Sequence, residues 1–311
     1  MSTETKVSTG RVCVKEWLKE ADVPAGKAVR IWRIFYAYGP RCGRAIFLPI
    51  DQGLEHGPRD FMPNPPSEDP DYQLHLALEG NYSAIVFEPG LARKYHHAYA
   101  GRVPLVLKLN GKTNIPSDAE AFSPLTASVE EAAALGADAV GYTLYVGSPA
   151  QGRDIPQLAA VRRDCDRLGM PLIVWSYPRG EAVEKKGGRD SLYAIDYAAR
   201  VACELGADLV KLNMPKPNEK CPGQPEEYAQ LQLDELGRMG KAVRSAGRTL
   251  VLVSGGSKLS DEDVLDKARV CFEAGAAGLI FGRNMWQRPI DLALQMTRRV
   301  HDLARQFGDR D

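Results

Sequence analysis

The sequence predicts an α/β protein, a single (β/α)8 TIM barrel with an N-terminal helical extension. Three observations carry this: eight short apolar runs recur along the chain, segments of helical spacing separate them, and several runs turn polar toward their C-terminal ends. Strands that alternate with helices pair in parallel, because each helix carries the chain back across the sheet, and eight such units close into a barrel. An open doubly wound sheet would show a glycine-rich turn after an early strand, and no G-x-G-x-x-G occurs. The 311 residues read as one domain, with 1–40 as the extension and 41–308 as the barrel.

Residues 14–39 have helical character, broken around "DVPAGK". The predicted strands then follow in order: "AIFLPID" (45–51), "AIVFEP" (84–89), "PLVLKLN" (104–110), "AVGYTLYV" (139–146), "PLIVWSYPR" (171–179), "ADLVKLNM" (207–214), "TLVLVSGG" (249–256) and "GLIFGRN" (278–284). Between them, Leu192, Ile195, Ala199 and Ala202 recur at intervals of three and four, and Gly206 stops that helix. Ser260 and Asp263 have capping-box spacing at the head of another, which ends at Gly275.

Alternate strand residues face opposite sides. In "ADLVKLNM" Val210, Leu212 and Met214 form an apolar parity that suits the outer wall beneath the helices. Leu209, Lys211 and Asn213 then point into the lumen. By the same rule Val106, Lys108 and Asn110 face inward, as do Ile173, Trp175, Tyr177 and Arg179. These polar positions sit toward the C-terminal ends of their strands, where barrel enzymes place their chemistry. Asp51, closing the first strand, joins them.

Composition narrows the partners. Lys+Arg and Asp+Glu are both 40, so formal net charge is zero. A neutral chain without a basic block gives no electrostatic case for nucleic acid or an anionic membrane. No run approaches the roughly 18 apolar residues of a membrane span, and "MSTETKVSTG" lacks the apolar core of a secretory signal. The six cysteines show no C-x-x-C pair and read as reduced thiols of a cytoplasmic protein, with Cys221, in a proline-rich loop, the most exposed. The five histidines form no H-E-x-x-H or similar pair, so no metal and no cofactor is expected. His56, in "DQGLEHG", reads as a substrate contact at the barrel mouth.

A lysine in a partly dry pocket loses the water that stabilises its ammonium, so its pKa falls, and a nearby cation such as Lys108 lowers it further. A neutral amine there attacks a ketone and forms a protonated Schiff base, an electron sink for making or breaking a carbon–carbon bond. Tyr177 and Asp51 have suitable chemistry for the proton transfers. The spacing equally fits a lumen lysine salt-bridged to Asp51 or Glu88, and Lys108, also in a "K-L-N" context, is a rival nucleophile. "SGGSK" (254–258) and "FGRN" (281–284) follow the seventh and eighth strands, a recurring phosphate position in this fold.

The segments "LPIDQGLEHGPRDF", "VPLVLKLNGKT", "GADAVGYTLYVGS", "PLIVWSYPRG", "GADLVK", "LVSGGSK" and "FGRNMWQR" run in order from about residue 45 to 290. Together they resemble the class I fructose-bisphosphate aldolases of the archaeal and bacterial type, in the DeoC/FbaB aldolase group. The resemblance implies a cytoplasmic, metal-independent homo-oligomer that reversibly cleaves fructose 1,6-bisphosphate to dihydroxyacetone phosphate and glyceraldehyde 3-phosphate. It makes Lys211 the Schiff-base lysine, Tyr177 the proton donor and acceptor, and Asp51 the carboxylate that assists at the carbinolamine. It places His56, Asp60, Trp175 and Arg179 at substrate contacts, and Ser254, Gly255, Gly256, Gly282 and Arg283 in a phosphate cradle. Gln52 replaces a histidine of some relatives and Asn213 a second lysine. Both alter polarity beside the phosphorylated sugar, as Lys108 does. The alternatives are an imine-forming, transaldolase-like enzyme on another phosphorylated ketose, and a noncatalytic sugar-phosphate-binding barrel.

Overall fold

The computed structural model describes residues 13–256 and 258–309. Residues 1–12 of the expected extension, Ser257 of "SGGSK" and residues 310–311 lie outside the described residues. Eight parallel strands close in chain order: β1 (Ala45–Pro49), β2 (Ala84–Phe87), β3 (Leu105–Lys108), β4 (Ala139–Val146), β5 (Leu172–Pro178), β6 (Leu209–Leu212), β7 (Leu250–Ser254) and β8 (Gly278–Ile280), with β8 returning to β1. Helices intervene as the spacing predicts. Leu192–Glu204 stops before Gly206 at φ +83°, and Asp261–Glu273 starts where the Ser260 hydroxyl accepts from Asp263 N.

Two apolar clusters confirm which parity faces where. Leu172, Val174, Val210 and Leu212 pack outward beneath the helices. Val106, Ile173, Trp175, Tyr177 and Leu209 fill the lumen. The register pairs Trp175 with Lys211 and Tyr145 with Tyr177. Lys108 pairs with Gly141, where a Cβ would come within 2.6 Å of the Trp175 ring, so only glycine leaves room for that indole.

The extension forms helices Val14–Glu20 and Ala25–Trp32, the second continuing into a π-type turn at Arg33–Ala37. Val14, Ile31, Ile34 and Phe35 join the lumen cluster with Ala45, Leu209 and Leu250, residues at the starts of strands, and so close the N-terminal end of the barrel. Buried Lys27 ties this plug to the barrel through Asp166 at 2.7 Å and Asp208 at 2.8 Å.

Strand ends are shorter than predicted. Asp51 lies beyond β1, at the head of the short helix Gln52–His56, and the chain after β8 turns at Gly282 into helix Arg283–Trp286. Cys221 is buried, 3% exposed, within the loop after β6, where its amide donates to Asn218 O at 2.9 Å, and Cys13, Cys42 and Cys203 are the more accessible thiols. The expectation of an exposed Cys221 is therefore corrected.

Candidate active site

A cavity of about 350 Å³ opens at the C-terminal ends of the strands. Asp51, Gln52, His56, Tyr177, Arg179, Lys211, Asn213, Ser254, Gly255, Gly256, Gly282 and Arg283 line it, gathering twelve of the predicted residues from the ends of β5, β6 and β7 and the segments that follow β1, β5, β6, β7 and β8. At its floor Lys211 Nζ donates to Tyr177 Oη at 2.5 Å, its one hydrogen bond among the described residues. Lys211 is 6% exposed and makes no ion pair with Asp51 or Glu88. The salt-bridge alternative is not the arrangement found.

Burial pushes the Lys211 amine below its ordinary pKa. The Asp51 and Glu55 carboxylates pull it back up, and the Arg283 and Arg179 guanidiniums press it down again. The net direction is downward. The largest cationic influences on it are thus the two arginines. Tyr177 moves the other way: burial first, then Glu55 and Asp51, hold it well above the usual phenol value despite Arg179 and Arg283. An amine held below its ordinary pKa in direct contact with a phenol held above its own sets a nitrogen eased toward nucleophilicity beside a proton donor.

Lys108 lies in an adjoining chamber with Glu88, Lys112, Thr143 and Tyr145, where its Nζ donates to Asn110 O at 2.9 Å and Thr143 Oγ1 at 2.7 Å. Asp51 and Glu55 line both chambers. The Trp175 ring stands between the lysines, each Nζ being 5.4 Å from its centroid, and does not itself line the cavity. Asp60 also stands one layer back. It accepts from His56 Nδ1 at 2.7 Å, which leaves Nε2 as the ring nitrogen for a ligand. Neither Trp175 nor Asp60, both expected as substrate contacts, is among the residues that line the cavity.

At the β7–β8 side, Ser254 Oγ donates to Asn213 Oδ1 at 2.6 Å, and Asn213 Nδ2 reaches Asp190 at 3.3 Å. The amide of Gly255 is engaged with Ile280 O at 3.2 Å, so it is not a free cradle donor. Gly256 has φ +71°, a left-handed turn that favours glycine, and Arg283 Nη2 donates to its carbonyl at 3.1 Å. At Gly282 a Cβ would stand 3.0 Å from both Pro49 O and Gln52 Nε2, tight enough that the chain after β1 would have to shift by a few tenths of an ångström. Gln52 Oε1 is buried without a hydrogen-bond partner, an acceptor that a bound hydroxyl would satisfy.

Four charged cavity residues, Glu55, Asp190, Lys216 and Lys267, escaped the sequence reading. Glu55 had a legible signal, since it follows Asp51 by four positions, the spacing of one helix face. Lys267, whose Nζ donates to Gly255 O at 3.1 Å, comes from the middle of helix Asp261–Glu273 and had none. Among the described residues no group of three or more His, Cys, Asp or Glu converges as a metal site would require, and no helix is long and apolar enough to cross a membrane.

A buried amine–phenol pair at the mouth of a (β/α)8 barrel defines an imine-forming lyase architecture. The chain belongs to the DeoC/LacD family of aldolases, whose profile matches residues 45–288. It is similar to the class 1 fructose-bisphosphate aldolase of Thermoproteus tenax, with 44% identity over 265 residues, 85% of this chain and 90% of that protein. The class 1 enzyme of Halobacterium salinarum is 39% identical over 80% of this chain and 86% of its own. Among solved structures, an archaeal fructose-1,6-bisphosphate aldolase with its catalytic lysine covalently bound to the carbinolamine intermediate superposes at TM-score 0.74, with 40% identity, over 88% of this chain and 98% of that one. The fructose-bisphosphate aldolase of Slackia heliotrinireducens gives TM-score 0.77 at 28% identity, over 90% and 88% of the two chains.

Proposed function

We propose that this protein is a class I aldolase that reversibly cleaves fructose 1,6-bisphosphate to dihydroxyacetone phosphate and glyceraldehyde 3-phosphate. The observation that carries the reading is the 2.5 Å contact of the buried Lys211 amine with the Tyr177 phenol. Lys211 Nζ attacks the C2 ketone, and the carbonyl oxygen takes a proton to give the carbinolamine. Asp51, lining the same cavity, protonates the departing hydroxyl, water leaves, and a protonated imine remains. The iminium charge beside Tyr177 then favours transfer of the phenol proton to the Asp51 carboxylate that dehydration leaves, and the resulting phenolate accepts the C4 hydroxyl proton. The C3–C4 bond breaks, its electron pair flows to the iminium nitrogen, and the aldehyde is released. Tyr177 returns the proton to C3 of the enamine, and hydrolysis by the reverse of the first steps frees the ketone.

Two phosphates need two cationic ends. Arg283, Gly256 and Gly282 serve the phosphate near the imine carbon, and Arg179 with Lys216 serves the far one, all lining one cavity. His56 and Gln52 lie between as partners for sugar hydroxyls. The reading includes one folded domain acting as a cytoplasmic homo-oligomer, which light scattering and cell fractionation check.

The decisive experiment is borohydride reduction in the presence of dihydroxyacetone phosphate, followed by peptide mapping. An adduct on Lys211, absent from Lys211→Met, is expected, with turnover of fructose 1,6-bisphosphate undiminished by EDTA. An adduct on Lys108 would overturn the assignment, and no adduct would leave only a sugar-phosphate binder.

A further inference from the structure

Asp118, in the segment between β3 and β4, gathers three cations. Its Oδ1 meets Lys112 Nζ at 2.9 Å, and its Oδ2 meets Arg179 Nε at 3.0 Å and Arg189 Nη1 at 3.1 Å. These come from three places in the chain: the same loop, the end of β5, and the stretch before helix Leu192–Glu204. Burial pushes the Asp118 carboxyl up, but Lys112, Arg179 and Arg189 outweigh it and hold the group below the usual carboxylate range. Glu184 takes the Nε of Arg189 at 3.0 Å. Three cations against two carboxylates leave the cluster net positive, so it attracts an anion.

Only Arg179 of the three cations lines the catalytic cavity. Its Nη1 donates to Pro178 O at 2.8 Å while Nε sits on Asp118, so two anchors fix the guanidinium plane. Nη2 has no hydrogen-bond partner among the described residues and is left for a ligand. We propose that Asp118 is a positioning residue that sets preference for doubly phosphorylated ketoses, by locking Arg179 in the orientation that meets the phosphate farther from the imine carbon. Without the carboxylate, Lys112, Arg179 and Arg189 repel one another, and Arg179 loses the anchor that spares the phosphate the entropic cost of ordering it. A guanidinium's planar fork makes that orientation matter, because it recognises phosphate through paired N–H groups. This inference rests on the aldolase reading above.

The test compares fructose 1,6-bisphosphate with fructose 1-phosphate, which lacks the far phosphate, in the wild-type protein, Asp118→Asn and Asp118→Glu. Circular dichroism establishes that each variant is folded. The ratio of kcat/KM for the bisphosphate to that for the monophosphate is expected to drop about tenfold or more in Asp118→Asn, mostly through KM, and to recover in Asp118→Glu, which keeps the charge. Equal losses on both substrates would make Asp118 merely structural and overturn the inference. A raised ratio would make it a competitor of the phosphate and overturn it as well. Failure of the wild-type protein to cleave either ketose would instead refute the aldolase reading, so the two failures are distinct.

Discussion

Replacing Tyr177 by phenylalanine removes one oxygen from the lumen and keeps the ring that packs there. That oxygen is the partner of Lys211 at 2.5 Å, and the side chain is 8% exposed, so bulk water has little access to take its place. Loss of a positioned acid–base group costs about 10²- to 10⁴-fold in rate, or roughly 3–5 kcal/mol of barrier at ~1.4 kcal/mol per decade. The amine keeps its place on β6 and its desolvation, so imine formation survives. A buried donor without its partner costs about 1–3 kcal/mol of stability, which a urea melt reads directly. The assay is therefore double: a coupled measurement of fructose 1,6-bisphosphate cleavage, and borohydride trapping of dihydroxyacetone phosphate by mass spectrometry. Tyr177→Phe is expected to lose turnover while retaining the adduct on Lys211. If turnover fell less than about tenfold, or if adduct and turnover vanished together, Tyr177 would not be the group that moves the proton at the breaking bond.

Glu88, in the chamber beside Lys108 and Asp51, is pushed up to about 7, chiefly by burial, with Lys108 opposing and Asp51 assisting. The folded state then holds a proton that the unfolded state releases between about pH 4.5 and 7, so stability falls as pH rises through that window, by up to roughly 3 kcal/mol. Glu88→Gln is expected to flatten that slope and to be the more stable form at pH 8, and urea melts at pH 5 and 8 that showed the same slope in both proteins would refute it. Gly141→Ala would set a methyl 2.6 Å from Trp175 Cζ3 and 3.0 Å from Lys108 Cδ. Overpacking of this kind costs about 1–3 kcal/mol, and the tilted indole, paired in register with Lys211, is expected to lower kcat. Wild-type kcat in a folded Gly141→Ala protein would show that the ring does not govern the lysine.

Periodicity made the barrel legible because the strands are buried on both faces for different reasons. Val210 and Leu212 meet helices, whereas Leu209 and Lys211 meet one another's neighbours across the lumen. A lysine on the inner parity is conspicuous in such a pattern, and so are a phenol and an indole two residues apart on β5. Depth within the lumen was not legible. Trp175 and Tyr177 share a parity, yet only Tyr177 reaches the cavity, since the pleat gives direction without height. Partnerships across loops were hidden for a related reason. Asp60 serves His56 four residues away, a local spacing, but Asp118, in the loop after β3, serves Arg179 just past the end of β5, and that role leaves no local pattern. Cys221 misled because a proline-rich composition signals irregular backbone, which is separate from exposure.

Among the described residues, the plug built by Val14, Ile31, Ile34 and Phe35, and fastened by Lys27, closes the N-terminal end of the lumen and leaves the C-terminal mouth as its doorway. Both halves of a cleaved sugar must leave through the opening by which the whole entered. On the proposed mechanism one half is still bonded to Lys211 when the other comes loose, so traffic has a fixed sequence: the aldehyde exits first, and the ketone follows once water has cut its tether. Product inhibition in steady-state kinetics would carry the signature of that queue.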